Sequence, residues 1–246
     1  MGLANATTPS NETGAATEKS NGVDTILQPV ARFGDDFKLV GIGVSKQGRV
    51  FASAPAALGE RPRYSLVEVD PDTGEVTPYP TPAWNRYDPQ ADGTHQWAAV
   101  QALWVDRSNH LWALDKSLGK TNQPPKLVEM NLATNKVVRS YTFGKTITPE
   151  DSLNDMRVDL QHGYAYISNA KNNGGIVVLN LKTGVSRLVL QGDKSSVADP
   201  KQHLMFGKQV AKGKNGRELV LDTDGIALSP DRAWAYYRPL SDRHYY

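Results

Sequence analysis

Six side chains with the makings of a small-molecule site are spread along the chain: Gln101, Trp104, Asn154, Asp155, Arg157 and Asp224. Two carboxylates, two amides, a guanidinium and an indole suit a cationic ligand. An ammonium group would lie against Asp155 or Asp224, and Trp104 would offer it a cation–π face. The same two carboxylates are the candidates for an acid or base. In the alternative reading, these Asp and Asn side chains cap loops by accepting bonds from backbone amides. None of the five histidines shares these positions. His110 and His162 fall in turns, where solvated imidazoles are expected. There is no Gly-x-Ser-x-Gly, no His-Glu-x-x-His and no phosphate loop, which argues against hydrolase, metalloprotease and nucleotide-binding chemistry.

The six residues form a set because the chain repeats. Residues 100–115 place apolar residues on either side of a polar turn at Asp106 to His110 and read as a β-hairpin. The layout recurs at 41–53, 154–168 and 224–237. Aligning Ser45, Asp106, Asp159 and Ser229 gives steps of 61, 53 and 70 residues. These steps are too long for solenoid repeats and suit large propeller blades. A second hairpin follows the first at 64–76, 125–137 and 175–185, with an apolar strand, an Asx position and then Thr-Gly or Thr-Asn. Gly74, Asn135 and Gly184 are predicted to take the positive φ of that turn. Each repeat thus holds four strands, and a ring of such sheets can bury both faces of each. The predicted fold is all-β, a β-propeller with blades at about 38–80, 98–143 and 152–190 and the start of another at 222–241. A β-sandwich is the competing architecture.

Aligning the repeats places Val40, Gln101, Asn154 and Asp224 in one column at the channel mouth. Gly41, Ala102, Asp155 and Gly225 form a second column, and Gly43, Trp104, Arg157 and Ala227 a third. A formal charge of +2 argues against a nucleic-acid surface. With no cysteine there is no thiolate chemistry and no disulfide framework. No apolar run reaches membrane-spanning length. Residues 1–27, rich in Asn, Thr and Ser, are predicted to be a disordered leader, with sequons at Asn5 and Asn11. Residues 27–37 are expected to form an incoming strand. Two long loops follow, at 83–96 with Trp84, Tyr87 and His95, and at 191–221 with Lys201, Lys208, Lys212, Lys214 and Arg217. The first reads as folded back on its blade and the second as solvated.

Residues 44–54, 100–106, 153–159, 165–168, 224–229 and 236–241 resemble motifs of the Yellow/major royal jelly protein family. The resemblance implies a secreted six-bladed propeller that holds a small ligand in its central channel, biogenic amines in several salivary members. It also implies, as an alternative, the dopachrome-tautomerase-like activity after which bacterial relatives are described. Three blades and one hairpin fall short of six, so the chain is read as a fragment or a truncated product whose open edge would self-associate. Asn154-Asp155 and residues 224–231 are also similar to metal-dependent gluconolactonase propellers. That likeness implies a divalent cation such as calcium and a lactonase-like reaction. Two departures stand against it: Gly41 to Gly43 replace the expected glutamate, and Asp224 stands where asparagine is usual. The partner expected is a small-molecule ligand, with neither nucleic acid nor membrane.

Overall fold

Leu111, Trp112, Ala113 and Leu114 show in four residues why this chain stacks sheets. Successive side chains of a strand point to opposite faces, and all four are buried. Leu111 and Ala113 join a core with Phe51, Leu66 and Val100, while Trp112 and Leu114 join another with Met156, Ile167 and Leu179. A sheet buried on both faces needs a neighbour on each side.

The computed structural model describes residues 29–56, 61–118, 123–213 and 215–246. The leader with its sequons, and Lys214, lie outside the described residues. Three four-stranded antiparallel sheets follow in chain order. The first comprises β1 (Gly41–Val44), β2 (Val50–Ser53), β3 (Leu66–Val69) and β4 (Val76–Pro78). The second comprises β5 (Val100–Val105), β6 (His110–Asp115), β7 (Lys126–Asn131) and β8 (Lys136–Thr142). The third comprises β9 (Leu153–Asp159), β10 (Tyr164–Asn169), β11 (Ile176–Asn180) and β12 (Ser186–Val189). A small hairpin, β13 (Met205–Phe206) with β14 (Gln209–Val210), precedes the paired strands β15 (Thr223–Leu228) and β16 (Ala235–Pro239). Strands β1, β5, β9 and β15 lie side by side as the innermost strand of each unit. The architecture is all-β and propeller-type.

Repeated turn chemistry sets the register. Ser45 Oγ, Asp106 Oδ1 and Asp159 Oδ1 accept backbone amides within their hairpin turns, and Ser229 Oγ accepts the amide of Trp234. Asp70, Asn131 and Asn180 do the same in the outer hairpins. Gly74, Asn135 and Gly184 all adopt positive φ, as the turn pattern predicts.

Two expectations are corrected. Residues 29–37, the described part of the expected incoming strand, are irregular. Phe33 and Phe37 stack at 4.4 Å and pack with Ala31 on Ala52, Val67 and Val69, so the segment caps the outer face of the first blade without joining its ladder. Of the turn histidines, His110 is partly buried and its Nδ1 lies 2.7 Å from Glu129, whereas His162 is exposed to solvent as expected, with its Nδ1 2.6 Å from Asp159. The loop at 83–96 is anchored by its aromatics. Trp84 lies against Trp97 at 4.5 Å, and the Arg61 guanidinium sits 3.5 Å from the centre of the Tyr87 ring.

Candidate functional site

A bulge interrupts the inner ladder at the same place in three of the four units. Gln101 is the extra residue between the pairs Val100 with Asp115 and Ala102 with Leu114. Asn154 and Asp155 together face Ser168, between the pairs Leu153 with Asn169 and Met156 with Ile167. Asp224 is the extra residue between the pairs Thr223 with Pro239 and Gly225 with Arg238. In the first unit the ladder begins only at Gly41, paired with Ser53, and the Val40 amide ahead of it donates to the Ser53 carbonyl at 2.9 Å. An extra residue bends the strand and re-aims a side chain that regular alternation would direct elsewhere. Here the bulges gather polar side chains at the start of otherwise apolar strands.

All six sequence-predicted residues line one cavity of about 360 Å³, together with Val40, Gly41, Ile42, Ala102, Leu103 and Gly225. They are bonded to one another across the blades. Gln101 Nε2 donates to Asn154 Oδ1 at 2.9 Å, and Asn154 Nδ2 donates in turn to Asp224 Oδ1. Arg157 Nη1 donates to both Asp155 carboxylate oxygens, at 2.9 and 3.0 Å. The same guanidinium lies 4.9 Å from the Trp104 ring centre. The cation–π face expected to be open to a ligand therefore already has a resident cation, and Asp155 is already paired. Ser168, which sequence reasoning missed, ties the bulge together: its Oγ accepts the Asp155 amide at 2.9 Å and donates to the backbone carbonyl of Asp224.

Asp224 stands apart from this pairing. Among the described residues no basic group comes within ion-pair distance of its carboxylate. Burial, and then the negative charge of Asp155, push its pKa above the ordinary carboxylate range; Arg238 and Lys116 oppose the shift from further away. Lys116, a second residue the sequence did not single out, is pushed down to about 8, chiefly by burial and secondarily by Lys171. One acceptor at the mouth is also left over. Gln101 Oε1 is buried and has no hydrogen-bond partner among the described residues.

A divalent cation does not fit this arrangement. Among the described residues no three His, Cys, Asp or Glu side chains converge on one point. Of the two carboxylates at the mouth, Asp155 is bound by a guanidinium where a metal would compete for the same oxygens.

A family model described as "Major royal jelly protein" matches residues 98–246. Major royal jelly protein 7 of Apis mellifera is 27% identical over 185 residues, covering 70% of this chain and 38% of that protein. Major royal jelly protein 3 of the same organism is 30% identical over 148 residues, covering 55% of this chain and 26% of that protein. The chain thus spans well under half the length of these relatives. Among solved structures, the PQQ-bound form of aldose sugar dehydrogenase from Streptomyces coelicolor aligns with 86% of this chain and 58% of that one. Its identity is 11% and its TM-score 0.42.

Proposed function

This chain belongs to the major royal jelly protein family, and on that premise we propose that it is a secreted, small-ligand-binding protein that takes an amine at the mouth of its channel. The observation that carries the reading is Asp224. It is a partly buried carboxylate in a cavity, raised in pKa and without an ion-pair partner among the described residues. A charged group held this way is stabilised by an incoming opposite charge. An ammonium donates three hydrogen bonds. Asp224 is an acceptor available for one of them. Val40, Ala102 and Leu103 give the ligand body an apolar wall.

The discriminating pair of ligands is tryptamine and tryptophol, which share an indole and differ in carrying an ammonium or a hydroxyl. Calorimetric titration should show tryptamine binding and tryptophol binding at least about tenfold more weakly, since a charge-assisted bond contributes roughly 1.5–3 kcal/mol. Asp224→Asn keeps an oxygen that can accept from Asn154 Nδ2, so the fold should persist while tryptamine affinity drops by a similar factor. Equal affinities for the two ligands, or an unaffected Asp224→Asn, would refute the reading. The raised pKa equally suits Asp224 to moving a proton, which supports the alternative of a dopachrome-tautomerase-like enzyme. Dopachrome turnover by the wild type that is lost in Asp224→Asn would select that alternative.

A further inference from the structure

The opposite end of the channel, where the inner hairpins turn, has a different chemistry. A cavity of about 720 Å³ opens there between the second, third and fourth units. Its walls include Val105, Val158, Leu160 and Leu228, and its charged residues are Asp106, Arg107, Arg157 and Arg232. Arg157 is neutralised by Asp155. The Asp106 carboxylate is engaged by three donors from its own hairpin: the amides of Ser108 and His110, and Trp112 Nε1 at 2.8 Å. Among the described residues it makes no ion pair with an arginine. Arg107 and Arg232, from two different blades, have no carboxylate within 4 Å among the described residues. A neighbouring cavity of about 440 Å³ shares Val105, Asp106 and Arg107 and adds Lys46 from the first blade. Each turn that contributes a cation is fixed by side-chain caps on its backbone, so the charges are carried on rigid supports.

We propose that this turn-side cavity is a second ligand site, selective for a small organic anion with an apolar body, its carboxylate or sulfonate held by Arg107 and Arg232. Two guanidiniums without partners beside an apolar wall match such an amphiphile on both counts: charge-assisted bonds for the head and buried hydrocarbon for the body. The two channel ends then differ in sign, with a carboxylate at one and guanidiniums at the other that have no ion-pair partner among the described residues. This site stands independently of the amine reading, because neither Arg107 nor Arg232 lines the Asp224 cavity.

The test is calorimetric titration of the full chain with octanoate, octanesulfonate and 1-octanol, which share a chain and differ in the head. Both anions should bind saturably at millimolar concentration or below and weaken as salt is raised. Octanol should bind at least about tenfold more weakly. Replacing both arginines, Arg107→Gln with Arg232→Gln, should weaken octanoate at least about tenfold, whereas Arg187→Gln, on an exposed outer strand, should leave it unchanged. All three positions are at or near the surface, so folding is not at stake. Octanol binding as tightly as octanoate, absence of saturable octanoate binding, or an unaffected double variant would each overturn the proposal.

Discussion

Replacing Asp115 with alanine should be among the most damaging single changes in the second blade. Its carboxylate is fully buried and accepts four donors: Lys126 Nζ at 2.7 Å, the amides of Ala98 and Ala99 at 2.8 and 2.7 Å, and the amide of Ser117 at 3.2 Å. The Lys126 side chain is only 3% exposed, and its ammonium lies 5.8 Å from the Trp97 ring centre. Asp115→Ala strands that ammonium and at least two backbone amides. Breaking a buried pair by removing one partner costs about 3–5 kcal/mol. For a domain of this size 1 kcal/mol shifts Tm by roughly 2–4 °C, so the melting point should fall by about 6–20 °C. Lys126→Met should cost less, because the Asp115 carboxylate it leaves behind still has three backbone donors. The double variant should be less unstable than the sum of the two singles. Urea unfolding of the four proteins measures all three terms. Asp115→Ala within about 1 kcal/mol of wild type, or Lys126→Met more damaging than Asp115→Ala, would refute the view that this carboxylate organises the start of β5.

Asp224 has a folded pKa above the ordinary value of 3.8, so between the two the native state binds more protons than the unfolded chain. Wild-type stability should fall as pH rises through that window, a decline that Asp224→Asn abolishes in pH-dependent urea melts. Tryptamine affinity should rise across the same window, since only the ionised carboxylate attracts the ammonium. Lys116 titrates the other way. With a folded pKa of about 8 against an ordinary 10.5, its charge is penalised below pH 8, and stability recovers as pH rises from about 8 to 10.5. Lys116→Met should therefore be more stable than wild type at neutral pH and lose that advantage above about 10.5, as paired thermal melts would record. At Gly41, an added Cβ would be closer to Ser53 Oγ than real contacts allow, with the Gln101 carbonyl and Leu103 Cγ both at 3.3 Å. Gly41→Ala should cost about 1–3 kcal/mol in denaturant unfolding, and Ser53→Ala in the same chain should recover part of it.

The fold was legible in the sequence because its determinants are local. Asp70, Asn131 and Asn180 cap their own turns within three residues, and Ser45, Asp106 and Asp159 within four. A repeated cap with alternating apolar strands therefore fixes the blade period without knowledge of tertiary contacts. Residues 29–37 depart from the strand expectation because their apolar residues serve a face of the first blade rather than a ladder, and only the packing of Phe33 and Phe37 on Val67 reveals that.

The candidate site was legible in position but not in state, and the reason lies in what a repeat column means physically. Equivalent positions on adjacent inner strands are neighbours in space, so polar residues sharing a column bond to each other before they meet a ligand. Gln101, Asn154 and Asp224 form one such column, and the structure joins them in a chain of hydrogen bonds. Trp104 and Arg157 share another, and the guanidinium lies on the indole. Reading each column as a list of contacts would have foreseen both pairings. The bulges were beyond that reading, because an extra residue is defined only against the partner strand: Gln101 is extra solely because Val100 pairs with Asp115 and Ala102 with Leu114. What a column of mutually satisfied residues leaves over is then the informative quantity. At this mouth the remainder is the Asp224 carboxylate, which ends the hydrogen-bonded chain without an ion-pair partner among the described residues, and Gln101 Oε1, which has none at the other end. A ligand that donates to Asp224 would extend the chain the blades began, which is why the head group rather than the hydrocarbon should decide affinity there.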